Sequence, residues 1–191
     1  MGHAAKKHEL FSYADYLSWN DGKQWQIIDG IPFCESPAPS RSHQTVSGNL
    51  IGILYQKLKG KKCRAFHAPF DVRFSNGEKN EFEIFNIVQP DISVYCSEKY
   101  LDDKGAFGPP DWVIEILSPS TESFDTLQKL LLYQRFGVKE YWIIDTRSKS
   151  IITNILNDGI YKEAHQYQYG EQITTKALKG LVIDTKAVFE M

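Results

Sequence analysis

No stretch of this sequence is apolar for long enough to cross a bilayer. The longest apolar runs, such as Trp112-Val-Ile-Glu-Ile-Leu117, contain or adjoin charges, and a spanning helix takes roughly 20 residues. The first residues carry two lysines but no signal-peptide apolar segment followed by a small-residue cleavage site, so a soluble protein of the cytoplasm is expected. Cysteine is scarce: Cys34, Cys63 and Cys96 are far apart, odd in number and form no C-x-x-C pair. That argues against zinc and dithiol redox centres and leads us to expect reduced core or surface thiols. An excess of basic charge is also missing. With 22 Lys and Arg against 24 Asp and Glu the net charge is −2, which excludes the global basic footprint of proteins that coat DNA. Any nucleic-acid contact must be local.

What is present is an ordinary globular composition, 42% hydrophobic and 24% charged over 191 residues, which suits one domain spanning 1–191 with a core at about 41–150. No repeat or low-complexity tract divides it. Ser12-Tyr-Ala-Asp15 has the form of a capping box and predicts a short helix from near Tyr13 that ends before Asn20-Asp-Gly22. Gln24 to Phe33 reads as two short strands around an Asp29-Gly30 turn, with Pro32 marking an edge. His43, Val46, Leu50, Ile53, Leu54 and Leu58 recur at spacings of three and four and predict an amphipathic helix with Gly60 as its C-cap. Strand-like segments at 63–74, 86–96 and 111–118 are expected to form the central sheet. A helix from about Phe124 to Phe136 follows, ended by Gly137, then a buried strand at Tyr141–Asp145 and a terminal antiparallel hairpin or meander over 151–191.

Two carboxylates stand out. Period-two alternation over Val88–Cys96 puts Val88, Ile92, Val94 and Cys96 on one face and Gln89, Asp91, Ser93 and Tyr95 on the other. Asp91 therefore points away from the apolar side. In Trp112–Leu117 both faces are apolar and Glu115 alone interrupts what reads as a central strand. An ionised carboxylate buried without a partner costs several kcal/mol, roughly, so Glu115 needs a proton, a cation or a metal. Lys129 lies a quarter-turn from the polar direction of its helix, among Leu132, Tyr133 and Phe136, and is one candidate cation. A divalent ion shared with Asp91 is the other, since Mg²⁺ is commonly held by one or two carboxylates with water and substrate phosphate completing its shell. An ion so placed acidifies its water and neutralises charge on a phosphoryl oxygen, which is phosphodiester hydrolysis chemistry.

The string Gln-Pro-Asp91-Ile-Ser-Val, then Pro-Asp-Trp-Val-Ile-Glu115-Ile-Leu-Ser-Pro-Ser-Thr, Lys129-Leu-Leu-Leu-Tyr and Gly-Val-Lys-Glu-Tyr-Trp-Ile-Ile-Asp145, resembles the Uma-two family. That family is grouped with restriction endonucleases in the P-D-(D/E)-x-K nuclease superfamily. The resemblance covers nearly the whole chain and is specific from about 88 to 145. It implies an α/β (α+β) restriction-endonuclease-like core, a mixed sheet flanked by helices. It also implies Asp91 and Glu115 as catalytic metal ligands, Mg²⁺ or Mn²⁺ as cofactor, DNA as partner, bacterial origin and a homodimer. Two departures qualify it. Leu117 stands where the superfamily has lysine two residues after the acid, so Lys129 is the residue expected to take that role. Gln26, in Trp25-Gln26-Ile-Ile-Asp-Gly, stands where similar sequences place glutamate, and a neutral amide is a poorer ligand for a hard cation.

Alternatives stand beside each assignment. Glu115 and Lys129 also make sense as a structural pair, Lys129 as an i,i+4 partner of Asp125, and His43 as a cleft-wall or core histidine. His43, Gln26, Asp71 and Ser118 are auxiliary cleft candidates. The run Lys57–Arg64 reads as a solvated helix end before it reads as a phosphate contact. At the level of function, a metal-dependent nuclease competes with a catalytically silent nuclease fold that binds nucleic acid or a protein partner, and with an oligomeric structural protein.

Overall fold

The computed structural model describes residues 10–34, 38–75, 77, 80–117 and 124–190. Helix α1 (Tyr13–Ser18) starts at the expected capping box, with the Ser12 and Asp15 side chains each bonding the other's backbone N–H. Strands β1 (Trp25–Ile28) and β2 (Ile31–Cys34) form a hairpin in which Asp29 and Gly30 take φ of 52° and 76°. Helix α2 (Arg41–Leu58) follows, N-capped by Ser40.

Beyond α2 the chain differs from expectation. The segment read as one strand over 63–74 is two, β3 (Arg64–His67) and β4 (Val72–Phe74), separated by a cis Ala68–Pro69 bond. The segment at 86–96 likewise divides into β5 (Asn86–Val88) and β6 (Ile92–Tyr95) around Gln89-Pro90-Asp91. Each proline lacks the N–H that a continuous ladder needs. The two halves then serve different sheets.

Short strands β7 (Leu101–Asp102) and β8 (Gly105–Phe107) precede β9 (Trp112–Ile116), α3 (Phe124–Arg135) and β10 (Glu140–Asp145). The C-terminal part is β11 (Ser150–Asn157), β12 (Ile160–Gln168), β13 (Gln172–Thr174), β14 (Val182–Asp184) and α4 (Thr185–Phe189). Among the described residues the expected single central sheet is thus two six-stranded sheets, ordered β2-β1-β5-β4-β8-β7 and β12-β11-β10-β9-β6-β3, with β13 and β14 paired apart. Pro32 lies on an edge strand, as its missing donor requires. Both large sheets are mixed, and β9-α3-β10 is a crossover unit joining the parallel pair β9 and β10.

The central strands β6, β9 and β10 are buried on both faces. On one side Trp112, Ile114, Ile116, Ile92 and Val94 meet Val46, Leu50 and Leu54 of α2, with Ile183, Val188 and Phe189 from the C-terminal elements. On the other, Val113, Tyr141 and Ile143 meet Leu132 and Tyr133 of α3 and Val72, Phe74 and Val88 of the β1 sheet. The alternation expected over 88–96 holds only from Ile92 to Cys96, because Val88 belongs to β5 and packs in the other core layer, and the face carrying Ser93 and Tyr95 is covered too. No helix among the described residues is long and apolar enough to cross a membrane.

The expectation of three reduced thiols is corrected. Cys63 and Cys96 form a disulfide, while Cys34 is exposed and stands outside it. The antiparallel register pairs Arg64 with Tyr95, so the next cross-strand partners are Cys63 and Cys96, with Cα atoms 3.9 Å apart. Spacing along the chain carries no trace of that register.

Candidate active site

Asp91 ends the short link between the two sheets, and Glu115 lies mid-way along the central strand β9. The β6–β9 register pairs Ile92 with Ile114, and one step further sets Asp91 opposite Glu115. Glu115 projects toward the layer that α3 and the β1 sheet cover, and Asp91 reaches the same strand through the N–H of the neighbouring Ile116.

Asp91 is oriented at both oxygens. The Ile116 N–H donates to Oδ2 at 2.7 Å, and His43 Nε2, from the first turn of α2, lies 3.2 Å from Oδ1. Glu115 is held from α3. Lys129 Nζ lies 3.0 Å from Oε1, and the Tyr133 hydroxyl donates to the same oxygen at 2.6 Å. Lys129 and Tyr133 are four residues apart and so share one helix face. The Glu115 carboxyl is pushed up to about 7, chiefly by burial; the Lys129 charge opposes this, the Asp91 charge adds to it, and the bond from Tyr133 opposes it.

His43, Asp91, Glu115 and Lys129 thus come together. Gln26 is buried in β1 on the side shared with Ile28, whose side chain joins the layer between the sheets. Asp71 just precedes β4 and accepts from Tyr16 Oη at 3.1 Å and Gln89 Nε2 at 2.7 Å. None of the bonds to Asp91 or Glu115 given above comes from Gln26 or Asp71. Ser118 and the 119–123 cap segment lie outside the described residues. Leu117, at the position of the missing lysine, is partly buried against the α3 layer. Tyr133 escaped the sequence reading because it was counted with the apolar stripe; its i,i+4 spacing from Lys129 was the available signal.

Among the described residues no three His, Cys, Asp or Glu side chains gather in an arrangement that could hold a metal ion. Two carboxylates are a poor set for zinc, whose sites draw mainly on Cys and His. They do fit Mg²⁺ or Mn²⁺, hard ions that leave several positions to water and phosphate.

Residues 13–186 match a family described as "Putative restriction endonuclease", Uma2. The chain belongs to the Uma2 family. An uncharacterized protein of Synechocystis sp. is 24% identical over 167 residues, covering 86% of this chain and 84% of its own length. A crystal structure described as a putative nuclease belonging to DUF820, from Anabaena variabilis, superposes with a TM-score of 0.75 at 20% identity. It covers 94% of this chain and 97% of its own. This Uma2 chain therefore has the fold of that Anabaena protein.

Proposed function

We propose that the protein is a metal-dependent nuclease that hydrolyses phosphodiester bonds of DNA, with Asp91 and Glu115 holding Mg²⁺ or Mn²⁺ and Lys129 assisting. The observation that carries the reading is the closeness of the two carboxylates, Asp91 accepting from the N–H of Ile116 next to Glu115, with Lys129 against Glu115. DNA as substrate follows the family's description rather than any groove contact.

A divalent ion bound here supplies Lewis-acid stabilisation of phosphoryl charge and a more acidic water. The chain's own groups do the rest. The Ile116 N–H and His43 fix the Asp91 carboxylate, and Tyr133 and Lys129 fix that of Glu115. Lys129, on a four-carbon stem, can turn from Glu115 toward a phosphate oxygen or the attacking water. The apolar walls limit the water that would screen these charges. A homodimer in the cytoplasm belongs to the same reading; sedimentation at micromolar concentration tests the dimer.

The test is cleavage of plasmid DNA, linear DNA and RNA with Mg²⁺ or Mn²⁺. Asp91→Ala and Glu115→Ala should abolish it and Lys129→Ala should reduce it, with circular dichroism showing each variant folded. A folded wild type that neither binds a divalent ion at millimolar concentration nor cuts nucleic acid fails the claim. The silent-scaffold reading then replaces it, favoured by Glu115 already having a neutralising lysine.

A further inference from the structure

Glu115 receives two donors on one oxygen, and they differ in freedom. Lys129 is the mobile one: its side chain is 13% exposed and ends in an ammonium that can rotate between partners. Tyr133 is fully buried, tilted against Phe74 at 6.0 Å between ring centroids and set edge-on to Tyr141 at 5.0 Å. Its backbone is pinned as well. Val138 N–H donates to Tyr133 C=O at 2.9 Å and Gly137 N–H to Gln134 C=O at 3.1 Å, a Schellman closure with Gly137 at φ 80°. The phenol therefore has little room to turn away from Glu115.

They differ in charge too. An ammonium on Glu115 competes electrostatically with a divalent ion on the same carboxylate, whereas a neutral phenol does not. If Lys129 were the sole donor, its departure to a substrate phosphate would strip a buried carboxylate of its partner.

We propose that Tyr133 is the positioning residue of Glu115: its fixed hydroxyl holds Oε1 when Lys129 turns to the substrate, so that Oε2 stays directed to the cation. This deepens the metal-nuclease reading and rests on it. Lys129 and Tyr133 then divide one task in time, and the carboxylate never stands without a donor.

The test is titration of Mn²⁺ into folded wild type, Tyr133→Phe, Lys129→Met and Tyr141→Phe, with thermal melting of each. Tyr133→Phe removes one hydroxyl and should weaken Mn²⁺ binding about 10- to 100-fold, the usual cost of losing a group that orients a ligand. Lys129→Met should bind as well as wild type or better, and Tyr141→Phe, which removes a neighbouring buried hydroxyl, should match wild type. In cleavage assays saturating Mn²⁺ should restore Tyr133→Phe but not Lys129→Met. Wild-type affinity in Tyr133→Phe, or equal losses in both phenylalanine variants, overturns the proposal while leaving the metal reading intact. Should Tyr133→Phe not fold, Lys129→Met carries the test, because a tenfold loss there means that the tyrosine alone does not hold Glu115. No Mn²⁺ binding by folded wild type removes the metal reading, and this inference with it.

Discussion

Two buried glutamates sit on neighbouring strands and are treated in opposite ways. Glu140 begins β10 opposite Trp112, and Glu115 lies on β9 opposite Ile143, so the two face opposite sides of one sheet. Glu140 is 1% exposed and receives three N–H donors, Trp142 Nε1 on Oε1 and the Lys176 and Ala177 backbones on Oε2, all at 2.7 Å. Two of those donors are backbone and the third is a packed indole. That carboxylate staples the segment before β14 to the sheet. Among the described residues Glu115 instead receives side chains from a single helix, and both reach one oxygen. Burial pushes both carboxyl groups up, so burial alone does not separate a structural acid from a reactive one. The kind of donor does.

The sharpest break of that contrast is Glu115→Gln. It should cut metal-dependent cleavage by about 10³-fold, on the order of 4 kcal/mol in barrier, while shifting the urea midpoint little. Glu140→Ala should do the reverse. With three donors orphaned it should cost about 3–5 kcal/mol of stability, measured by urea denaturation, and leave turnover per folded molecule unchanged.

A pH titration of metal-free protein should give a difference of about 3 kcal/mol. The folded state holds the Glu115 proton more tightly than the unfolded chain does, so folding takes up a proton between the ordinary value of 4.5 and about 7. Wild type should therefore lose stability relative to Glu115→Gln as pH rises through that window, with both curves parallel above it. Mn²⁺ affinity should rise over the same window, since proton and ion compete for one carboxylate. The smallest effect is expected at Lys139, which pairs with Asp111 near the start of β10 but is 65% exposed. Lys139→Ala should cost at most about 0.5 kcal/mol by the same denaturation assay.

Glu115 was legible because it interrupts an apolar strand, and Asp91 because alternation and the proline before it set its face. Lys129 was readable from its angle on the helix, although only the fold decides that it meets Glu115. Glu140 was not legible: two of its three partners lie 36 and 37 residues away and are backbone groups common to any sequence. The division of the chain between two sheets at 68–71 and 89–91 was signalled by Pro69 and Pro90. Hydrophobicity runs through both bends because each half-strand is buried in its own sheet, and that continuity hid them. The disulfide and the His43–Asp91 contact depend on register and on how α2 lies across the strands, which local pattern does not encode.

The Cys63–Cys96 bond joins residues 33 positions apart and so closes a covalent ring in the chain. Both sheet crossings lie within that ring, and so does Asp91. Glu115, Lys129 and Tyr133 lie outside it. The two halves of the site thus belong to topologically different parts of the polypeptide, one cyclised and one open, which meet only through non-covalent contacts. Closing such a ring restricts the unfolded chain by about 3–4 kcal/mol in the chain-entropy account, and the restriction falls on the Asp91 half alone. A reductant would therefore act on the site through the unfolded chain, by giving the Asp91 segment back its freedom there and lowering the stability of the fold as a whole.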